Sequence, residues 1–300
     1  MMRMHVPGGR YDLHTHSLVS DGTEPPEVLV RAAAAAGLDG VALTDHDTTR
    51  GWAAAIAAAE EAGIDLLPGM ELSSRVGWAS VHVLAYLPDP EDPGLVAETS
   101  RIRSERSHRA QAIVTAIAAD YDLTWDDVLA QTSPGTTIGR PHIADALVAR
   151  GLATDRSAAF AGILDWRGGY FQPHYAPDPV EAVRLVRAAG GVPVIAHPAT
   201  STRGIAIESM LPDLVDAGLF GLEVEHRENT AAGKRRLREL AARYSLVTTG
   251  SSDYHGTGKP NRLGENTTSP EVLERIVAAG TGTRPKIGRA SCRERVCQYV

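Results

Sequence analysis

The sequence predicts an α/β barrel, and three observations lead there. Apolar strand-like runs alternate with alanine-rich helical segments over most of the chain. Roughly seven of those runs end in polar residues, many of them His, Asp or Glu, the profile of strands whose C-terminal ends carry a barrel's active site. The length of 300 residues suits one such barrel with an insertion. A hydrophobic fraction of 43% is enough for a sizeable core.

In chain order, "RYDLHTHS" is a short strand, followed by the helix "EPPEVLVRAAAAAGL" with Pro25 and Pro26 near its first turn and Gly37 at its stop. "DGVALTDHD" is an apolar run ending in polar residues, as in a buried parallel strand. The helix "RGWAAAIAAAEEAG" and the strands "IDLLPGMEL" and "SVHVLAYL" come next. The rhythm then breaks: residues 99–168 contain four helix-like segments, "RIRSERSHRAQAIVTAIAAD", "TWDDVLAQ", "RPHIADALVARG" and "DRSAAFAGIL", with no good strand. This stretch is expected to be a helical insertion or lid. Helix "DPVEAVRLVRAAGG", strand "VPVIAH", helix "IESMLPDLVDAG" and strand "FGLEVEH" restore the alternation. Helix "TAAGKRRLRELAARY", strand "SLVTTGSSD" and helix "SPEVLERIVAAG" complete it. Residues 10–98 and 169–283 therefore form the barrel, with strands separated by helices and so paired in parallel.

The net charge of −7 argues against a broad nucleic-acid surface, so no double-stranded DNA partner is expected, although a small basic pocket for phosphates is compatible with it. No apolar run approaches the roughly 20 residues of a membrane span. The opening "MMRMHVPGG" lacks a signal peptide's apolar segment. The expectation is a soluble, cytoplasmic protein. Both cysteines, Cys292 and Cys297, lie in "IGRASCRERVCQYV", an abrupt arginine-rich string that resembles translated adapter sequence. Residues 284–300 are accordingly expected to be a non-native tail, and thiol chemistry drops out.

Side chains two apart on a strand face the same way, so His14 and His16 can address one ion together. Further candidates stand at or near other strand ends: His46 in "TDHD", Glu71 in "GME", His82, His197 in "AHP", and Asp253 and His255 in "SDYH". Asp21 follows the first strand in its loop. Any one of these histidines could be a satisfied core residue; a full set at one end of a barrel is a metal site.

This set, from HTHS through SDG, TDHD, GME, His82 and His197 to SDYH, resembles the PHP (polymerase and histidinol phosphatase) family, within it the small bacterial phosphoesterases that act on nucleotides and short RNA ends. The resemblance runs over about residues 11–280. It implies a distorted seven-stranded (β/α) barrel and a trinuclear metal centre. Carried over, His14, His16, Glu71 and Asp253 would hold one ion. Glu71 would bridge to a second, bound also by His82 and His197; Asp21, His46 and His255 would hold a third. Glu71, Asp253 and His197 are the catalytic set on this reading.

A thiolate-free imidazole and carboxylate set suits two to three divalent ions of manganese, zinc or iron. A water bridging two such ions becomes a nucleophile near neutral pH. Asp45 and Asp47 fit either a supporting role beside His46 and its neighbouring loops or a cap on the next helix. In "IGRPHIADAL", also similar to the nucleotide-acting branch, Arg140 offers a bidentate phosphate fork and His142 sits at a helix start; a plain Pro-started surface helix is the other reading. Arg203 is a further phosphate candidate. One departure stands out: after "GLEV" the relatives continue with an aromatic residue and a proline turn, whereas this chain has "EHRENT". Glu225 and His226 are not counted as ligands, and His5, His108 and His174 receive no role. The expected activity is hydrolysis of nucleoside mono- or 3′,5′-bisphosphates, or of short RNA 5′ ends. The alternatives are a histidinol-phosphatase-type phosphomonoesterase and a non-catalytic accessory module of the same family.

Overall fold

The structure, a computed structural model, describes residues 8–77, 79–173, 175–200 and 207–288. The first half of the barrel comprises β1 (Tyr11–Asp12), α1 (Pro26–Ala35), β2 (Gly40–Leu43), α2 (Trp52–Ala62), β3 (Asp65–Val76) and β4 (Ala79–Tyr86). Four helices follow: α3 (Pro93–Ile117), α4 (Trp125–Leu129), α5 (Arg140–Ala149) and α6 (Arg156–Ala161). The chain returns through α7 (Pro179–Ala188), β5 (Val192–Ile195), α8 (Leu211–Asp216), β6 (Gly221–Glu225), α9 (Ala231–Arg243), β7 (Val247–Gly250) and α10 (Pro270–Ala279). The seven strands lie side by side in chain order. A parallel bridge between Thr15 and Tyr254, with the His16 amide donating to the Tyr254 carbonyl at 2.8 Å, brings the two edges together into a nearly closed barrel.

The all-parallel expectation fails at one strand. β1, β2 and β3 pair in parallel, as do β5, β6 and β7, but β4 is antiparallel to both β3 and β5. A parallel return needs a crossover, and here β3 turns at Gly77 (φ 54°) straight into β4. The reversal has a functional consequence. The first half of β4 lies at the mouth where its neighbours end, which puts His82 opposite Ser73.

Two boundaries also move. β1 has only two residues, because from Leu13 onward the backbone serves the loops above the sheet. α3 starts at Pro93, about eight residues earlier than the sequence pattern suggested, since Asp92 accepts the Leu95 amide at 2.8 Å and caps it.

Leu13, Leu67, Leu84, Tyr86 and Val194 fill the barrel interior. α1 and α2 pack on β2 through Leu29, Val30, Ala55 and Ala59. The α3–α6 segment has its own apolar cluster, including Ile113, Ile117, Val128, Ile143 and Leu147. Lys286 pairs with Leu66 through two backbone bonds of 2.8 Å. The remaining tail, with Cys292 and Cys297, lies outside the described residues. No helix among the described residues is long and apolar enough to cross a membrane.

Candidate metal centre

Thr15 Oγ1 donates to the Ala42 carbonyl at 2.6 Å, so the histidines on either side turn together to the barrel mouth. Their Nε2 atoms stand 3.0 Å apart. Glu71 Oε2 lies 3.3 and 3.1 Å from these two nitrogens, and Asp253 Oδ1 lies 3.4 Å from each. Ligands about 2.1 Å from a shared ion are separated by about 3.0–3.4 Å in octahedral or tetrahedral arrangements. Four atoms from three separate parts of the chain therefore have the spacing of one coordination shell.

The second carboxylate oxygen of Glu71 is 2.7 Å from His82 Nδ1 and 3.3 Å from His197 Nε2. Asp21 faces His255 Nε2 at 3.3 Å and His46 Nε2 at 3.7 Å. His46 also places Nδ1 3.1 Å from Glu71 Oε2, the oxygen that faces His14 and His16, so it adjoins Glu71 rather than standing with the third group alone. Four overlapping sets have ligand atoms within 4.8 Å of one another: His16, Asp21, His46 and His255; His14, His16 and Asp253; His14, His197 and Glu223; His46, Glu71 and His82. The donor chemistry fits divalent ions, and two donors need one: His46 Nδ1 and His255 Nε2 are buried without a hydrogen-bond partner.

The surrounding hydrogen bonds hold the donors in place. Asp45 accepts the Ser17 amide and hydroxyl (2.8 and 2.7 Å) and the Ser20 hydroxyl (2.8 Å). Asp47 accepts the Ser73 amide and hydroxyl (2.7 and 2.8 Å). Of the two sequence readings for these aspartates, loop tying is what the structure contains; the N-cap of α2 is Gly51, with no side-chain cap. The Asp253 carbonyl accepts from His255 Nδ1 at 2.8 Å, leaving Nε2 bare. Three non-glycine residues here adopt positive φ: Asp47 (54°), His197 (29°) and Asp253 (54°). Such conformations cost about 1–3 kcal/mol each and gather where geometry is dictated by function.

Charge at the mouth is tightly coupled. Burial disfavours a charged imidazole at His14, yet Glu223, Glu71 and Asp253 push it well above the usual range. His16 is pushed up to about 9 against its burial by Asp253, Glu71 and Asp21. Glu71 and Asp253 are held far below the carboxylate range despite burial, the former by His82, His46 and His14, the latter by Lys259, His255 and His14. The buried carboxylates demand positive charge among them, which bound divalent ions would supply.

A PHP domain model matches residues 12–126. Over 270 residues the chain is 35% identical to the 3′,5′-nucleoside bisphosphate phosphatase of Chromobacterium violaceum, covering 88% of this chain and 94% of that one. The chain belongs to the PHP family. It is also 32% identical over 249 residues to the phosphoribosyl 1,2-cyclic phosphate 1,2-diphosphodiesterase of Eggerthella lenta, covering 82% of this chain and 94% of the relative. An inferred metal-dependent phosphoesterase of Bifidobacterium adolescentis, solved as a crystal structure, superposes with a TM-score of 0.89 at 43% identity, over 92% of this chain and 98% of that one.

In this PHP chain all nine histidine, aspartate and glutamate residues singled out from the sequence meet at one mouth. Two participants were passed over. Glu223, fully buried on β6, accepts from His14 Nδ1 at 3.1 Å and from the His197 amide at 2.8 Å. Its signal was a lone carboxylate inside the apolar run "GLEV". Glu225, two residues on, points outward to Lys234 and Arg238. His226 is buried beside His197, with ring centres 5.1 Å apart.

The mouth opens into a cavity of about 450 Å³, walled on one side by Arg75, Arg106, Arg109 and Arg140 and by Phe160 and Phe171. Burial, then Arg140, Arg106 and Arg75, lower the Arg109 guanidinium to about 9. Arg140 thus reaches the cavity, its guanidinium 4.9 Å above the Phe160 ring and donating to the Leu164 carbonyl. His142 does not line it: the ring accepts the Gly139 amide at 3.1 Å and faces a separate crevice with Asp145 and Arg156. Arg203 lies outside the described residues.

Proposed function

We propose that the chain hydrolyses phosphate esters of nucleotides at a centre of two to three manganese, zinc or iron ions. The proposed ligands are His14, His16, Asp21, His46, Glu71, His82, His197, Asp253 and His255. The observation that carries the reading is the 3.0–3.4 Å convergence of His14, His16, Glu71 and Asp253. When bound, the ions would supply an acidified water as nucleophile and offset charge on the phosphoryl oxygens. The protein's part is positional. Glu223 holds the proton on His14 Nδ1 and so keeps the Nε2 lone pair turned inward. Glu71 spans two donor groups through its separate oxygens. The insertion, residues 99–168, acts as a lid whose Arg106, Arg109 and Arg140 attract the substrate's negative charge. A cavity of this size accommodates a nucleotide.

The test is turnover by the purified, Mn²⁺-loaded protein. The panel comprises nucleoside monophosphates, nucleoside 3′,5′-bisphosphates, 5′-phosphorylated oligoribonucleotides, a phosphoribosyl 1,2-cyclic phosphate and histidinol phosphate. The expected outcome is hydrolysis of the nucleotide esters; turnover of histidinol phosphate alone, or of none with metal bound, overturns the substrate assignment.

A further inference from the structure

Six positions beyond Asp253, the loop after β7 carries a lysine with no role so far. Lys259 places its ammonium 2.7 Å from Asp253 Oδ2 and lines the cavity near Thr200 and Glu228. Its side chain is 35% exposed, so it faces the cavity rather than the core. The loop is pinned on both sides of it. Asn261 Nδ2 donates to the Ser252 and Asp253 carbonyls at 2.7 and 3.3 Å, and the Gly264 amide donates to Asp12 at 2.8 Å. At Gly258 an added Cβ would collide with the Arg156 guanidinium.

The two oxygens of Asp253 have separate partners. Oδ1 faces the Nε2 atoms of His14 and His16. Oδ2 receives Lys259 and lies 3.6 Å from His226 Nε2. The Glu228 amide donates to His226 Nδ1 at 3.1 Å, which leaves the proton of the neutral ring on Nε2, aimed at Asp253. That nitrogen is buried and has no hydrogen-bond partner. At 3.6 Å it is not yet bonded to Asp253 Oδ2, but it stands beneath that oxygen, close enough to move into bonding distance when Lys259 turns toward an anion. An ammonium has three N–H groups, and the carboxylate uses one.

We propose that Lys259 is a catalytic residue that contacts a non-bridging oxygen of the phosphoryl group under attack, entering from the β7 side while Arg106, Arg109 and Arg140 enter from the insertion. The inference rests on the phosphoesterase reading. In the reaction the water oxygen bonds to phosphorus, the ester P–O bond breaks, and one water proton ends on the leaving alcohol. Lys259 exchanges no atom; it contributes charge and two hydrogen bonds.

Lys259→Met and Lys259→Arg, compared with wild type in the metal-loaded protein, test this through three readings: metal content, inhibition by inorganic phosphate, and kcat and KM on a nucleoside monophosphate. Lys259→Met is expected to keep its metals, to bind phosphate about 10- to 100-fold more weakly, and to lose about 100- to 1,000-fold in kcat/KM. Lys259→Arg should recover part of both losses. Unchanged phosphate inhibition overturns the proposal; if metal content falls at the same time, Lys259 serves only to hold Asp253. If wild type turns over no ester, the phosphoesterase reading falls instead, and phosphate binding to the variants still decides whether the contact exists.

Discussion

Replacing Glu223 by Gln removes one charge from a fully buried position without changing its size. Glu223 accepts two hydrogen bonds, from His14 Nδ1 at 3.1 Å and from the His197 amide at 2.8 Å. Glutamine has one acceptor oxygen, so it cannot keep both. If that oxygen retains the His197 amide, the new NH₂ faces His14 Nδ1. It can bond there only when the imidazole proton moves to Nε2, the atom proposed to hold an ion. A charge-assisted hydrogen bond is worth about 1.5–3 kcal/mol. That range corresponds to about 10- to 100-fold in affinity, the usual effect of losing a partner behind a metal-bound histidine. Calorimetric titration of metal-stripped Glu223→Gln with Zn²⁺ should show the tightest site weakened by that factor, with the far-UV circular dichroism unchanged. Affinity within about twofold of wild type would refute the tautomer argument.

Arg156 donates twice to Asp145 (2.5 and 2.6 Å) and once to the Asp21 carbonyl (2.9 Å), tying α6 to the loop that carries Asp21. Arg156→Ala should therefore weaken the Asp21–His46–His255 site about tenfold. After dialysis against a weak chelator, elemental analysis should find one ion fewer than in wild type; equal stoichiometry would contradict this. Asp65 lies far from that centre, and burial raises its carboxyl to about 6, above its usual 3.8. Its Oδ1 accepts the Gly288 amide at 2.8 Å, while Oδ2 has no hydrogen-bond partner. The folded protein thus holds this proton more tightly than the unfolded chain, and that stability is lost as pH rises from about 4 through 6. Asp65→Asn should gain about 1–3 kcal/mol in urea unfolding at pH 7.5 and little at about pH 4 or below; an equal gain at both would exclude a titration effect.

Local pattern carried most of the site into view. The alternation that pairs His14 with His16 persists past the end of β1, with Thr15 turned away to the Ala42 carbonyl, and the other ligands stand at or near strand ends that apolar runs reveal. The direction of β4 is not legible in its own residues because direction belongs to the connection, here the short turn at Gly77 between two strands with no helix between them. Glu223 stayed hidden because a buried carboxylate within "GLEV" is justified only by its partners, residues 14 and 197, which are distant in sequence. Attention went instead to Glu225, which faces outward. His142 illustrates the opposite error: a histidine after a Pro-started turn looked like a phosphate contact, and the fold uses it to receive the Gly139 amide. Lys259 and Arg156 act on Asp253 and Asp21 across contacts that no local spacing announces.

The central claim is that these nine side chains hold the ions at which a phosphate ester is cleaved. An anomalous difference map from crystals loaded with Mn²⁺ tests it most directly. A peak about 2.0–2.3 Å from His14 Nε2, His16 Nε2, Glu71 and Asp253 is expected, with at least one more beside His82 and His197. A fully loaded crystal with no peak inside the His14–His16–Glu71–Asp253 quartet would contradict the account.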